Sequence, residues 1–241
     1  MTSIIVLVVL ILFLSSFIRS TFGFGDALIA MPLLSLFIKV ETAAPVVAFM
    51  SSFIAVYIII GNYKQIKIKA IWQLILFSAI GIPIGLYYLE GAGEFVIKLV
   101  LAFVLITFAL YKLYNPNLLS LNNDKTGWIA GLIAGLLGGA YNANGPPIII
   151  YGSMRNWKPE EFRAILQGIF FPTNLFIVAG HGVAGNWTSD VITYTLFAIP
   201  AVVIATILGG LLNKKIPSQR FSKYIYYLLI IIAIVMLATA I

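Results

Sequence analysis

Apolar residues run along this chain in long stretches, interrupted at only a few places by glycine, proline and polar residues. Ten stretches can be marked: 3–18, 27–38, 43–61, 69–89 and 95–114, then 126–139, 146–154, 162–180, 190–212 and 219–240. Several approach the roughly 20 residues that a helix needs to cross a bilayer, whereas 27–38, 126–139 and 146–154 fall short. The alternating segments of about ten residues that mark a transmembrane barrel are absent. The pattern predicts an all-α polytopic membrane protein.

Order within the pattern predicts a repeat. "FGFGDALIAMP" lies between the first two stretches of one half, and "LGGAYNANGPP" holds the same place in the other. Gly23 to Pro32 and Gly138 to Pro147 have equal spacing. Each half then carries a long helix expected to end at glycine, Gly61 or Gly180, and two more long helices. The expected division is a first transmembrane repeat over 1–114, a linker over 115–125 and a second repeat over 126–241. Each repeat is a short broken-helix hairpin, spanning or re-entrant, plus three transmembrane helices.

Composition agrees with a membrane location. The chain is 61% hydrophobic and only 10% charged, too few charges to build a water-facing shell. The first 18 residues lack a basic start and a small-residue cleavage site, so they read as a retained span. With no cysteine and the single His181, thiol chemistry and a multi-histidine metal site are excluded within one chain, and no cofactor is expected. The net charge of +7 is spread over loops, which argues against a nucleic-acid partner.

Charge also orients the chain. Lysine and arginine crowd 64–69, 155–163 and 214–223, whereas 91–93 and 181–189 have none. The positive-inside tendency places the basic loops and the 115–125 linker in the cytoplasm and both termini outside. An odd number of elements per half makes the repeats inverted. Inverted repeats with interrupted short segments at matching positions point to a secondary transporter whose site lies where the halves meet.

The hairpin tips carry the candidate chemistry. In hydrocarbon every backbone N–H and C=O needs a partner, so irregular backbone survives only inside protein or beside water. "GGAYNANGPP" reads as a helix ending near Gly138–Gly139, a turn, and a short helix starting at Pro146, since proline suits a first helical turn. A helix N-terminus offers free N–H groups and a partial positive charge, here with Ile148 and Ile149 as donors. Gly145, Asn142 and Asn144 sit beside it. Gly23 and Gly25 precede the matching short helix, which begins at Ala27. Close helix packing is the other use of such glycines.

Charged residues inside a membrane are costly and point to function. Arg19 is positioned to attract an anion and Asp26 to carry a proton or sodium; alternatively the two pair and only hold the turn. Gln167 and Asn174 share a polar stripe on 162–180 with Thr173 beside Pro172. Arg163 opens that helix, either as a cytoplasmic anchor or as a ligand contact. Ser51 and Ser52 mark the equivalent depth on 43–61, and His181 falls in the neutral outer loop. "GFGD" also resembles the GxGD motif of intramembrane aspartyl proteases, but that chemistry needs a second carboxylate close to Asp26. Asp124 and Asp190 lie in or beside loops.

At "STFGFGDALIAMPLLSLF", "GLIAGLLGGAYNANGPPIIIY" and "EFRAILQGIFFPTNL" the chain resembles the TauE/SafE sulfite exporter family, also called TSUP. The resemblance covers essentially the whole chain, although the family pattern commonly has more glycine where Asp26 and Ala27 stand. It implies a secondary transporter, mostly an exporter, of small sulfur-containing anions such as sulfite, sulfoacetate and related sulfonates, driven by an ion gradient across a cell inner membrane. An anion channel and a membrane assembly factor without transport are the competing classes.

Overall fold

A computed structural model describes residues 2–62, 68–91, 94–114, 121, 126–155, 157 and 159–213, and, nearer the C-terminus, 226–227, 229–231, 233–234 and 237–238. Nine helices follow one another in the described part: α1 (Thr2–Phe22), α2 (Asp26–Leu34), α3 (Val40–Asn62), α4 (Ile68–Gly91), α5 (Glu94–Tyr114), α6 (Gly127–Tyr141), α7 (Gly145–Met154), α8 (Pro159–Val183) and α9 (Ser189–Asn213). The residues described between 226 and 238 are helical as well. No strand occurs among the described residues.

Five of these helices are long and apolar enough to cross a membrane: Ser3–Phe22, Val40–Ile60, Ile71–Tyr88, Phe162–Val183 and Ser189–Asn213. The core is apolar, and the outer surface is apolar as well, unlike that of a water-soluble protein. Large apolar side chains such as Leu10, Phe103, Leu196 and Phe197 face outward, while Arg19, Asp26, Asn142, Gln167 and Asn174 are buried. That is the distribution hydrocarbon demands, because a polar group facing lipid has no partner. The chain is a polytopic helical membrane protein.

α2 and α7 have 9 and 10 residues. At ~1.5 Å per residue each covers about half the hydrocarbon core, so their N-termini end inside the protein. The most extensive helix pairs are α4 with α6, α1 with α9 and α3 with α8. Lipid gives no hydrophobic drive to such pairs, so backbones must approach closely for dispersion and hydrogen bonds to hold them. Glycine permits that approach. A Cβ on Gly131, Gly135 or Gly139 of α6 would meet the carbonyl oxygens of Leu74, Ser78 and Ile82 of α4 at 2.7, 2.3 and 2.2 Å. On α9, a Cβ on Gly209 would meet the Phe17 carbonyl of α1 at 2.5 Å. A serine hydroxyl bridges each seam, Ser78 to the Gly131 carbonyl (2.9 Å) and Ser20 to the Thr206 carbonyl (2.6 Å).

Several expected boundaries shift. α6 runs past Gly138–Gly139 to Tyr141, because those glycines sit inside a helix that needs them for packing against α4 and α8, while Asn142 makes the turn. α7 begins at Gly145 rather than Pro146 and α2 at Asp26 rather than Ala27. α3 and α8 pass their expected glycine ends and close at Asn62 and Val183. His181 therefore lies in the last turn of α8, fully buried against Asn186, and not in a loop. Apart from Leu121, most of the 115–125 linker lies outside the described residues, as do 214–223 and most of 64–69.

Candidate functional site

The two hairpin turns meet at the centre of the bundle. After α1 the chain reverses through Gly23 (φ 88°) and Gly25 (φ 102°), left-handed conformations that only glycine adopts without strain. A helix ending inside a membrane must find partners for its last carbonyls. Here α8 and α9 supply them. Arg163 donates to the Ser20 carbonyl at 2.5 Å, Asn213 to the Thr21 carbonyl at 2.5 Å and Gln167 to the Gly23 carbonyl at 2.6 Å. Arg163 also donates to the Asn213 side chain. A Cβ at Gly23 would lie 2.9 Å from the Arg163 side chain. Gly23→Ala should therefore destabilise the protein by about 1–2 kcal/mol from the left-handed conformation alone, seen as a lower melting temperature in detergent.

On the opposite side Asn142 takes the left-handed conformation (φ 53°) and closes α6, its N–H donating to the Gly138 carbonyl at 2.8 Å. Asparagine is the residue after glycine that best tolerates this geometry. α7 then starts at Gly145, which keeps the N–H that Pro146 and Pro147 lack. α7 begins one residue earlier than expected, and the side chains of Ile148 and Ile149 pack in the apolar core.

The start of α2 and the start of α7 border one cavity of only about 10 Å³. Arg19, Gly25, Asp26, Ser51, Asn142, Asn144 and Gly145 line it, together with Phe24 and Phe170. Arg19 is almost completely buried. Its Nη1 donates to Asp26 at 2.5 Å and its Nη2 to the Gln167 side-chain oxygen at 2.9 Å. Ser51 donates to the same Asp26 oxygen, and Asn142 to the Ser51 hydroxyl at 3.4 Å. The Arg19 guanidinium also lies 5.3 Å from the centre of the Phe170 ring, within cation–π range. Asn144 donates to Thr173 at 3.2 Å and to Asn174 at 3.4 Å.

The expected site residues thus divide into three groups. Arg19, Gly25, Asp26, Ser51, Asn142, Asn144 and Gly145 share the cavity wall. Gly23, Gln167, Thr173 and Asn174 stand behind it and bond to the wall residues or the turns. Arg163 clamps the end of α1 rather than reaching the cavity, and Ser52 bonds back to the Ala48 carbonyl of its own helix at 2.9 Å. Phe170 and Asn213 were not anticipated. Phe170 lies three residues beyond Gln167 on the polar stripe of α8, so extending that stripe would have found it. Asn213 has no local signal, because its role exists only once α9 packs on α1.

Arg19 and Asp26 cancel in charge, and a buried pair of this kind is held only where further hydrogen bonds complete it. Two buried polar atoms in the site have no partner among the described residues, Arg19 Nε and Asn142 Oδ1. Among the described residues that line the cavity, Asp26 is the one carboxylate, where aspartyl-protease chemistry requires two. No group of three or more histidine, aspartate or glutamate side chains suited to a metal occurs among the described residues.

A bundle of apolar-faced helices around a buried arginine, with two half-helices starting at its centre, is the frame of a membrane transporter. The sulfite exporter TauE/SafE family profile matches residues 8–236, and the chain belongs to that family. A probable sulfite/organosulfonate exporter TauE of Cupriavidus necator is 28% identical over 204 residues, covering 80% of this chain and 78% of that protein. No solved structure matches.

Proposed function

We propose that the protein is a secondary exporter of small sulfur-containing anions, among them sulfite, sulfoacetate and related sulfonates, working by alternating access around the cavity between the two hairpin turns. The observation that carries this reading is the fully buried Arg19, set between two helix N-termini and two asparagine amides. A sulfonate headgroup presents three oxygens to that set. The guanidinium binds two of them side by side, and neutral amide and backbone donors complete the shell without adding a second buried charge.

Alternating access also fits the packing. Exchanging the halves maps α1 on α6, α2 on α7, α3 on α8 and α4 on α9. Under that exchange the α4–α6 pair becomes α9–α1, and α3–α8 maps onto itself; these are the three most extensive pairings in the bundle. Two inverted repeats that pack alike can trade conformations, which closes one face as the other opens. A cavity of about 10 Å³ holds at most one water, which favours an occluded carrier over an open channel. Arg155 donates to the Leu121 carbonyl at 2.7 Å, and Lys112 to Ser153 at 2.6 Å. Leu121, Arg155, Lys112 and Ser153 thus share one face, which this reading assigns to the cytoplasm, with both termini outside and the protein in the inner membrane.

Asn144→Ala and Gln167→Ala should each weaken sulfite binding about 10- to 100-fold, the loss of one hydrogen bond to a charged group. Purified protein melted with sulfite, thiosulfate, sulfoacetate, taurine or carboxylate controls reports this as the shift in melting temperature, because a ligand bound to the native state alone raises it. If folded Asn144→Ala and Gln167→Ala proteins bind and transport sulfite and sulfonates as the parent does, the site lies elsewhere.

A further inference from the structure

The cavity already contains an anion, and it belongs to the protein. The Asp26 carboxylate accepts from Arg19 and from Ser51 on the same oxygen. We propose that Asp26 is an internal stand-in for the transported anion, and that it takes up a proton when the anion displaces it from Arg19. One proton then travels with each monoanion. This rests on the transport reading above and names its coupling ion.

Occupancy is the first reason. Arg19 spends Nη1 on Asp26 and Nη2 on Gln167. A substrate anion that engages both ends of the guanidinium must take the place of the carboxylate. Space is the second. The cavity of about 10 Å³ is smaller than a sulfonate headgroup needs, and the Asp26 side chain occupies part of its wall, so an anion gains room where the carboxylate leaves Arg19.

Charge is the third reason. Among the described residues, the groups that line the cavity with Asp26 or bond to it are Arg19 from α1, Ser51 from α3, Asn142 and Asn144 from the α6–α7 turn, and Phe170 from α8, with Gln167 of α8 behind Arg19. Only Arg19 is charged. One guanidinium balances one negative charge. An ionised Asp26 displaced beside a bound anion would leave two negative charges against one positive charge in a water-poor space. Like charges that share a site favour protonation of one of them, and a sulfonate does not accept the proton. The neutral Asp26 then gains an O–H donor. Asn142 Oδ1, buried and without a partner in the present arrangement, is an acceptor on the same cavity wall.

Moving a monoanion with a proton carries no net charge. The membrane potential then neither drives nor opposes transport, and direction follows from the anion and proton gradients together. A carrier without the stand-in would respond to the potential.

The experiment uses the purified full-length protein in detergent and isethionate, a sulfonate that stays a monoanion between pH 6 and 8. Isethionate is titrated into weakly buffered protein with a pH-indicating dye, and its affinity is measured across that range. The parent protein should take up about one proton per isethionate bound, with affinity falling up to about tenfold per pH unit; Asp26→Asn should show neither. Binding to the parent without proton uptake, or unchanged uptake in Asp26→Asn, overturns the proposal. A second measurement covers the case in which isethionate does not bind at all. Asp26→Asn leaves Arg19 without its carboxylate, so nitrate at neutral pH should raise the melting temperature of this variant and not of the parent. That result with no isethionate binding retains the stand-in and defeats the sulfonate reading. Nitrate stabilisation of neither protein, or equally of both, overturns the stand-in. If Asp26→Asn does not fold, Asp26→Ser is compared in the same way, since it keeps a hydroxyl beside Ser51.

Discussion

Arg19→Gln is expected to abolish anion transport and to destabilise the protein. The two effects have separate causes. Transport fails because the site loses its only positive charge, and neutral amides and helix termini do not replace it in a buried space. Stability falls because Asp26, buried beside Ser51, loses its cation and must either hold its charge unpaired or take up a proton. Removing one partner of a buried pair costs about 3–5 kcal/mol, largely from the charge that stays behind. Arg19→Gln combined with Asp26→Asn should therefore regain much of the lost melting temperature while transporting nothing. Melting curves and sulfite flux in proteoliposomes separate the two. A single Arg19→Gln protein that still transports sulfite at the parental rate removes Arg19 from the site.

The second large effect is expected at the α4–α6 seam. Gly135→Ala places a Cβ 2.3 Å from the Ser78 carbonyl oxygen and 2.8 Å from its Cα. Those atoms are backbone, so no side-chain rotation relieves the contact and α4 must retreat along the whole seam. The loss should include the Ser78 hydroxyl bond to Gly131 at 2.9 Å and the fit of Gly131 and Gly139 on either side. Overpacking of this kind costs about 1–3 kcal/mol, which lowers the melting temperature by roughly 2–12 °C for a chain of this size. Gly210→Ala is the matched control, because a Cβ there finds only the Ser20 hydroxyl at 3.6 Å. Its melting temperature should stay level or rise slightly, alanine being the better helix former. Equal melting temperatures for the parent and Gly135→Ala would contradict the backbone contact.

These two positions show how much the linear pattern carries. Arg19 is recognisable in isolation, since a charge within an apolar stretch has to be accommodated by function or by a partner. The structure supplies the partner: Arg19 pairs with Asp26, and both lie on the cavity wall. Gly135 belongs to a stretch whose glycines fit either a turn or close packing. The structure assigns Gly131, Gly135 and Gly139 to packing and leaves the turn to Asn142. A glycine prediction from sequence alone fails here because both uses require the same missing Cβ.

Local chemistry determined the helices and the two broken hairpins. Apolar runs of bilayer length, left-handed positions and prolines act within a few residues of themselves, so they are readable in order along the chain. Tertiary structure alone decided which helix faces which. Gln167 reaches Arg19 across 148 residues, and Asn213 caps α1 across 192. Lipid leaves backbone proximity and hydrogen bonding to select such partners, and these depend on surfaces that exist only after the helices have formed.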